Sequence, residues 1–184
     1  MQQHLRTLHM SSIINAVNLQ GLSGDTQIVD LSMNLLKITE QTDRGYFIPG
    51  GALFTTLRYV PILLTSGDCH TITVFAMNKL GIPVTGLIHA GRRELDAELP
   101  REALAHLKSY YLCNPKYMYL GIIQGIGPEH HIIQERDMGH AIQNHQLWQP
   151  YISKNKESGS FHLDNLSLLL DQIKSIAIPG KNIE

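Results

Sequence analysis

The hydrophobic pattern of this chain predicts strands in its first half and helices mainly in its second. Short β-branched, apolar runs bounded by glycine, proline and asparagine are typical of strands, and they lie at residues 11–22, 27–39, 52–56, 71–77, 82–88 and 117–124. Apolar residues at helical spacing predict helices over 101–112 and 137–148, and a third behind the N-cap residue Asp164. Because strands and helices do not alternate regularly, we expect an α+β (mixed α/β) fold, with about three helices covering a central mixed sheet.

Two of the apolar runs predict a β-hairpin. Residues 71–77 and 82–88 flank the polar segment 78–81, which ends in glycine. If the turn is centred on Lys79, Cys69 and His89 lie opposite each other, and cross-strand partners have Cβ atoms about 5 Å apart. A shift of one residue would place the two side chains on opposite faces of the sheet.

Cys69 and His89 are therefore the candidate catalytic residues. A histidine can take the proton of a neighbouring thiol and later deliver it to a leaving group. Thiolate and imidazole are also zinc ligands, so with a third ligand the pair would form a metal site with an open position. The alternative is structural, with Cys69 as a small buried apolar residue and His89 as a core histidine. Glycines at positions 67, 86 and 91 indicate close backbone approach and favour a site.

A glycine-rich turn after the predicted strand 117–124 supplies further candidates. Its sequence is Gly125-Ile126-Gly127-Pro128, and backbone N–H groups in such a turn can bind an oxyanion or a phosphate. Gly127 is therefore a substrate-binding candidate, with an ordinary turn as the alternative. His130 follows the turn and points either into the site or to solvent.

Two arginines directly follow the His89 segment. Arg92 or Arg93 could bind a phosphate or a carboxylate through two parallel hydrogen bonds. The alternative is a solvated pair that faces Glu94 and Glu98. Both arginines are retained as substrate-binding candidates.

Composition limits the classes of protein to consider. The length of 184 residues fits one domain over residues 1–184 with a substantial core. A net charge of −1 without a basic stripe argues against nucleic acid, and no apolar run approaches the roughly 18 residues of a membrane helix. Two cysteines and no recognisable signal peptide favour a reduced, cytoplasmic protein. Oligomerisation stays open.

Four segments resemble the YfiH-like laccase-domain family, whose members also carry the name polyphenol oxidase. The family's motifs Ala-Asp-Cys-x-Pro, His-Ala-Gly-Trp-Arg-Gly and Ile-Gly-Pro correspond, in order, to residues 66–70, 88–93 and 125–128. The segment from Phe161 to Ile183 fits the family's tail, so the resemblance covers roughly residues 50–184. It implies a fold similar to that of cysteine glutamine deamidases, namely the chemoreceptor deamidases and the catalytic domain of cytotoxic necrotizing factor.

The resemblance also implies a metal, usually zinc, bound by an upstream histidine, the motif cysteine and the motif histidine. Asn34 stands where the upstream histidine is expected, and asparagine is a poor zinc ligand. Cys69 and His89 would then be the remaining ligands of a degenerate site, and Asn34 becomes a substrate-binding candidate. His4 or His9 could supply a third ligand.

Three functions are therefore compatible with the sequence. The first is a divergent YfiH-like enzyme that acts on a purine nucleoside or a similar small molecule by phosphorolysis or deamination, with or without zinc. The second is a metal-free Cys–His hydrolase or protein glutamine deamidase, with Cys69 as nucleophile and His89 as base. The third is a non-catalytic relative that binds a ligand or a partner. The missing metal ligand weakens phosphorolysis most and leaves the Cys–His pair intact.

Overall fold

The computed structural model describes residues 17–20, 27–32, 40–42, 45–156 and 158–184. These residues form twelve strands and five α-helices in an α+β arrangement, which confirms the predicted fold class. Asn34, His4 and His9 lie outside the described residues. No helix within the described ranges has the length and apolar character needed to cross a membrane.

The strands follow in chain order as β1 (Val17–Gln20), β2 (Ile28–Asp30), β3 (Glu40–Thr42), β4 (Gly45–Pro49), β5 (Ala52–Thr55), β6 (Ile62–Leu64), β7 (His70–Asn78), β8 (Pro83–Ala90), β9 (Cys113–Ile123), β10 (Ile132–Ile133), β11 (Ile152–Lys154) and β12 (Phe161–Leu163). The α-helices are α1 (Arg92–Asp96), α2 (Leu99–Ser109), α3 (Met138–Ala141), α4 (His145–Trp148) and α5 (Asn165–Lys174).

A mixed five-stranded sheet in the order β2-β5-β8-β7-β9 forms the centre of the fold. Strands β1, β3, β4 and β6 form a second sheet, and β10, β11 and β12 form a third. Along β7 the residues alternate between the two faces, as expected for a sheet with one covered face: Ile72, Val74 and Ala76 are buried, whereas Thr73 and Phe75 are exposed. The buried face packs in one core with the apolar residues of α2 and α5.

The predicted hairpin of β7 and β8 is present, but its predicted register is wrong. Thr71, rather than Cys69, lies opposite His89, and His70 lies opposite Ala90. The register is therefore shifted by two positions. Because a shift of two preserves the face on which each side chain lies, Cys69 still lies on the same side as His89.

The turn of this hairpin explains the shift. It contains two more residues than a turn centred on Lys79, since Met77 pairs with Pro83 and not with Gly81. The side-chain oxygen Oδ1 of Asn78 accepts hydrogen bonds from the backbone N–H groups of Leu80 and Ile82, each at 2.9 Å. Gly81 adopts a φ of +73°, a left-handed conformation that glycine reaches without strain.

The helices agree with the sequence pattern in two of three cases. Pro100 lies in the first turn of α2, and the Asp164 carboxylate caps α5 by accepting a hydrogen bond from the Ser167 N–H at 2.9 Å. The helix predicted over residues 137–148 is not continuous and is instead divided into α3 and α4. The expectation of about three helices was too low for this reason and because α1 was not predicted.

Candidate functional site

Cys69 and His89 meet at one end of the five-stranded sheet. His89 is the last but one residue of β8 and is 8% exposed, and Cys69 directly precedes β7. The thiol lies within hydrogen-bond reach of the imidazole. The register makes the two residues diagonal neighbours, because the next pair along the ladder after His70 and Ala90 would be Cys69 and Gly91. Diagonal neighbours on one face of an antiparallel pair can still touch when a side chain is long.

Gly91 provides the space in which the site forms. A Cβ atom at this position would lie 2.8 Å from the Cys69 sulfur, 3.2 Å from Cε1 of His89 and 2.6 Å from Oε2 of Glu94. The thiol of Cys69, the imidazole of His89 and the carboxylate of Glu94 therefore all lie next to Gly91, which has no side chain. Any substitution at Gly91 would have to displace at least one of them.

Glu94 is the functional candidate that the sequence analysis missed. Its side chain is 2% exposed, and Oε1 lies 3.3 Å from Nδ1 of His89. Helix α1 begins directly after the end of β8, so its third residue folds back beside His89. The signal was a carboxylate five residues after the histidine, but no helical period is visible in the residues between them.

The neighbours of His89 determine its charge. Hydrogen bonds with Cys69 and Glu94 raise the pKa of His89 to about 9, against the opposing effect of burial. His89 is therefore protonated at neutral pH. A thiol, a proton-bearing imidazole and a buried carboxylate thus lie in one contiguous arrangement, and such groups in contact can support nucleophilic catalysis.

The glycine-rich turn packs directly on the backbone of the cysteine segment. Ile126 N–H donates to the carbonyl oxygen of Asp68 at 2.7 Å, and Gly125 N–H donates to Nδ1 of His70 at 2.8 Å. A Cβ atom on Gly125 would lie only 2.8 Å from the carbonyl carbon of Cys69. His70 is 1% exposed and serves as an internal acceptor that fixes this turn against Cys69.

These bonds narrow the choice of oxyanion donors in the turn. The N–H groups of Gly125 and Ile126 are already used. Gly127 remains a candidate, since its N–H has no acceptor within the described part of the chain. Its carbonyl oxygen accepts from the N–H groups of His130 and His131, each at 3.0 Å.

The structure separates the two histidines after this turn. The His130 side chain is 77% exposed and lies 3.8 Å from the carboxylate of Glu129. His131 is half-buried, and its Nδ1 lies 3.1 Å from Oδ1 of the buried Asn165. Burial and the charge of Arg92 lower the pKa of His131. His130, the candidate named from the sequence, is therefore the exposed histidine, and His131 is the half-buried one.

The two arginines also diverge. Arg92 is half-buried, and its charge acts on His131. Arg93 is exposed and lines a separate open cavity of about 600 Å³ beyond α1, together with Asp96 and His140. Adjacent residues at the start of a short helix point in different directions, so the two arginines differ in exposure and in their neighbours.

The metal set implied by the resemblance is incomplete among the described residues. Cys69 and His89 are adjacent, but no group of three His, Cys, Asp or Glu side chains in the described ranges is placed to hold a metal ion. Asn34, the expected position of the third ligand, is not among those residues. The described residues therefore do not fit a complete zinc or copper site.

Solved structures resemble this fold over most of the chain. The hypothetical protein YfiH of Bacillus licheniformis aligns with a TM-score of 0.73 at 15% identity, over 100% of this chain and 70% of its own. YlmD from Geobacillus stearothermophilus aligns with a TM-score of 0.67 at 19% identity, over 92% of this chain. A protein of Neisseria meningitidis aligns with a TM-score of 0.64 at 16% identity, over 94% of this chain. Such low identities establish the fold alone.

The lengths and sequences of these relatives limit what can be transferred. The chain spans 62% of the length of YlmD and 64% of that of the Neisseria meningitidis protein. No curated protein sequence matches the chain. A sequence model described as multi-copper polyphenol oxidoreductase laccase matches residues 23–184. The chain therefore belongs to the multi-copper polyphenol oxidoreductase laccase family, the family of the YfiH-like proteins.

Proposed function

We propose that this protein is a hydrolase that uses Cys69 as nucleophile and His89 as general acid and base to break a carbon–nitrogen bond. The observation that carries the proposal is the convergence of Cys69, His89 and Glu94 on Gly91. Nucleophilic catalysis requires a nucleophile, a proton-transferring group and a group that orients it in mutual contact.

The residues divide the reaction into two balanced steps. The sulfur of Cys69 adds to the carbon of the substrate, the proton on His89 moves to the departing nitrogen, and ammonia leaves as the carbon–nitrogen bond breaks. Water then adds to the carbon that is bound to sulfur, a thioester from an amide or a thioimidate from an exocyclic purine amine, and gives a proton to His89. Cleavage of the carbon–sulfur bond releases the acid or the oxopurine and restores Cys69. Proton transfer by a positioned histidine contributes typically about 10²–10⁴-fold in rate.

Glu94 has a positioning role in this scheme. Its carboxylate lies beside Nδ1 of His89 and therefore orients the ring and stabilises the imidazolium. Because Glu94 is 2% exposed, its charge acts in a region with little water, where it is screened less than at the surface.

Two substrate classes suit this chemistry. A purine nucleoside or a similar small molecule with an exocyclic amino group is the class that the family resemblance suggests. The side-chain amide of a protein glutamine is the alternative, since hydrolysis of an amide to ammonia requires the same nucleophile and acid. Both reactions release ammonia, so one assay covers them.

The family name refers to copper, and zinc was expected from the resemblance. The proposed steps use neither metal, because the described residues supply only the Cys69 and His89 positions of a metal site. If a metal binds, those two residues would hold it, together with a ligand from outside the described ranges.

Alkylation of the native protein by iodoacetamide tests the proposal without a known substrate. We expect Cys69 to react rapidly near neutral pH and His89→Ala to slow it by tenfold or more, because a protonated histidine beside a thiol favours the reactive thiolate form. Mass spectrometry reports Cys69 and Cys113 separately, and the buried Cys113 provides an internal control.

Three results would contradict the proposal. Cys69 could react slowly at every pH, His89→Ala could leave its rate unchanged, or one equivalent of zinc could block alkylation. The first two results would favour a non-catalytic protein that binds a ligand or a partner. The third result would indicate a metal site. An ammonia-release screen of purine nucleosides and glutamine peptides, with Cys69→Ala as the blank, then identifies the substrate class.

A further inference from the structure

Thr71 places a hydroxyl group directly beside the candidate catalytic histidine. It lies opposite His89 in the antiparallel pair of β7 and β8, and its other neighbour in the sheet is Ile123 on β9. Directly opposed residues on one face of such a pair have Cβ atoms about 5 Å apart. Cys69 lies two residues before Thr71 and on the same side as His89, so the thiol, the imidazole and the hydroxyl share one face of the sheet.

The Thr71 hydroxyl is buried and unpaired. The residue is 3% exposed, and its Oγ1 atom is fully buried without a hydrogen-bond partner among the described residues. A hydroxyl removed from water without a new partner is unfavourable for the fold. Buried polar groups are nearly always paired in folded proteins, so an exception calls for an explanation, and a catalytic role is one of them.

Thr73 shows how the same face satisfies a hydroxyl when it can. It lies two residues further along β7, and its Oγ1 donates to the carbonyl oxygen of Gly121 at 3.1 Å. Gly121 is the β9 partner of Thr73, and a Cβ atom there would lie only 2.6 Å from this Oγ1. The β9 partner of Thr71 is Ile123, which carries a side chain where Gly121 has none. Thr71 therefore lacks the bond that Thr73 makes.

The second step of the proposed reaction needs a group at this position. Water has to be held beside His89 while the sulfur of Cys69 carries the acyl or imidoyl group. One hydrogen of the water moves to the imidazole, a lone pair on its oxygen adds to the carbon, and the second hydrogen needs an acceptor. Glu94 lies at Nδ1 of His89, where it orients the ring. Thr71 lies beside His89 on the neighbouring strand and has an oxygen to offer.

We propose that Thr71 positions the hydrolytic water, its Oγ1 accepting a hydrogen bond from the water molecule that attacks the carbon bound to Cys69. The inference rests on the proposed function, since it assigns a residue to the second step of that reaction. The step stays balanced: the carbon–oxygen bond forms, one proton passes to His89, the other hydrogen stays on the oxygen beside Thr71, and the carbon–sulfur bond breaks. Thr71 is thus a positioning residue with no part in the first step.

Hydrolysis of an acetyl group on Cys69 isolates this step. Brief treatment of the native protein with 4-nitrophenyl acetate transfers acetyl to the sulfur as 4-nitrophenolate leaves, and mass spectrometry then follows the loss of acetyl from the Cys69 peptide. We expect the wild-type thioester to be hydrolysed about a hundredfold faster than S-acetyl-N-acetylcysteine, the contribution of a positioned histidine. Thr71→Val should slow hydrolysis about tenfold, the effect of one hydrogen bond, while iodoacetamide alkylation stays within about twofold.

Two further variants and a stability measurement separate water positioning from packing. Thr71→Ser keeps the hydroxyl and should retain hydrolysis to within about threefold of the wild type. Thr73→Val removes a hydroxyl that is already paired, so hydrolysis should change by less than about twofold. Thr71→Val should not lower the melting temperature, because loss of an unpaired buried hydroxyl removes its desolvation cost.

Three results would overturn the role of Thr71. Thr71→Val could hydrolyse the thioester as fast as the wild type, or the wild type could do so no faster than S-acetyl-N-acetylcysteine. Thr71→Val could also melt at a lower temperature and slow alkylation and hydrolysis equally, as expected of packing alone. Failure of the proposed function itself is distinguishable, because it appears as slow iodoacetamide alkylation of wild-type Cys69, and it would reject the Thr71 role as well.

Discussion

The two cysteines of this chain lie beside opposite ends of strand β7 and have opposite chemical surroundings. Cys69 precedes β7, and Cys113 lies opposite Asn78 at the other end of β7. Cys113 is 3% exposed, and burial raises its pKa to about 11. Cys69 instead adjoins His89 and the Glu94 carboxylate.

The difference shows that the sheet alone does not make a thiol reactive. Both cysteines border β7. Only at the Cys69 end do three further segments meet the strand: the end of β8 with its histidine, α1 with its carboxylate, and the glycine-rich turn. Glycine at positions 91 and 125 permits these segments to approach the cysteine closely. At the Cys113 end, apolar packing leaves the thiol as a small hydrophobic side chain.

Gly125→Ala should have the largest effect on the contrast between the two ends. The added Cβ would lie 2.5 Å from the Asp68 carbonyl oxygen and 2.7 Å from the His70 nitrogen, and both are backbone atoms that cannot move aside easily. We expect a loss of about 1–3 kcal/mol in the free energy of unfolding and a large decrease in Cys69 alkylation. Urea unfolding and iodoacetamide kinetics measure the two effects.

Gly67→Ala is the matched control for Gly125→Ala. A Cβ at Gly67 would have no neighbour within 4 Å, so unfolding should change by less than about 0.5 kcal/mol. Equal behaviour of the two variants would show that the turn does not support the cysteine segment.

Glu94→Gln should have an intermediate effect that depends on pH. Without the carboxylate, the pKa of His89 should fall from about 9 toward its ordinary value of 6.5. A raised pKa in the folded state adds stability that is complete below pH 6.5 and is lost as the pH rises through about 9. The melting temperature of the variant should thus be lower by roughly 2–4 °C per kcal/mol lost at pH 6, with the deficit shrinking by pH 9.5.

Alkylation provides the second measurement on Glu94→Gln. The pH dependence of the Cys69 rate should change in the variant, since the pKa of the adjacent His89 is expected to fall. A melting-temperature deficit that stays the same from pH 6 to pH 9.5, together with an unshifted rate profile, would assign Glu94 to packing alone.

Cys113→Ala should have the smallest effect on the chemistry. Removal of the buried sulfur is expected to lower the free energy of unfolding by about 1 kcal/mol, because Cys113 packs in the main core. The rate of Cys69 alkylation should stay the same within error. A decrease in the rate of Cys69 alkylation in Cys113→Ala would show that the two ends of β7 are coupled. It would contradict the contrast drawn between them.

The sequence predicted the parts of the site that depend on strand patterns. The apolar runs identified β7 and β8, and alternation placed Cys69 and His89 on one face. The exact register was not predictable, because the turn length depends on hydrogen bonds that the Asn78 side-chain oxygen accepts rather than on hydrophobicity. Cys69 and His89 still lie on the same face of the sheet because the register differs from the predicted one by an even number of residues.

Glu94 and the orientation of the neighbouring side chains were not predictable for a different reason. Helix α1 contains five residues, which is too short to show an amphipathic period. Which of Arg92 and Arg93 is half-buried and which is exposed follows from where this helix begins. That His131 is half-buried and His130 exposed likewise follows from the bonds that close the turn at Gly127.

The anchoring of α1 extends the set of residues on which the chemistry depends. A helix of five residues has little stability of its own, but Asp96 at its end accepts hydrogen bonds from Gln143 N–H at 3.1 Å, Asn144 N–H at 3.0 Å and Trp148 Nε1 at 2.9 Å. The α3–α4 connection thereby holds the helix that presents Glu94. A mutational scan read by the rate of Cys69 alkylation would thus reveal sensitive positions around residue 144, and a loop graft for protein engineering there would alter the reactivity of Cys69 as well as the surface.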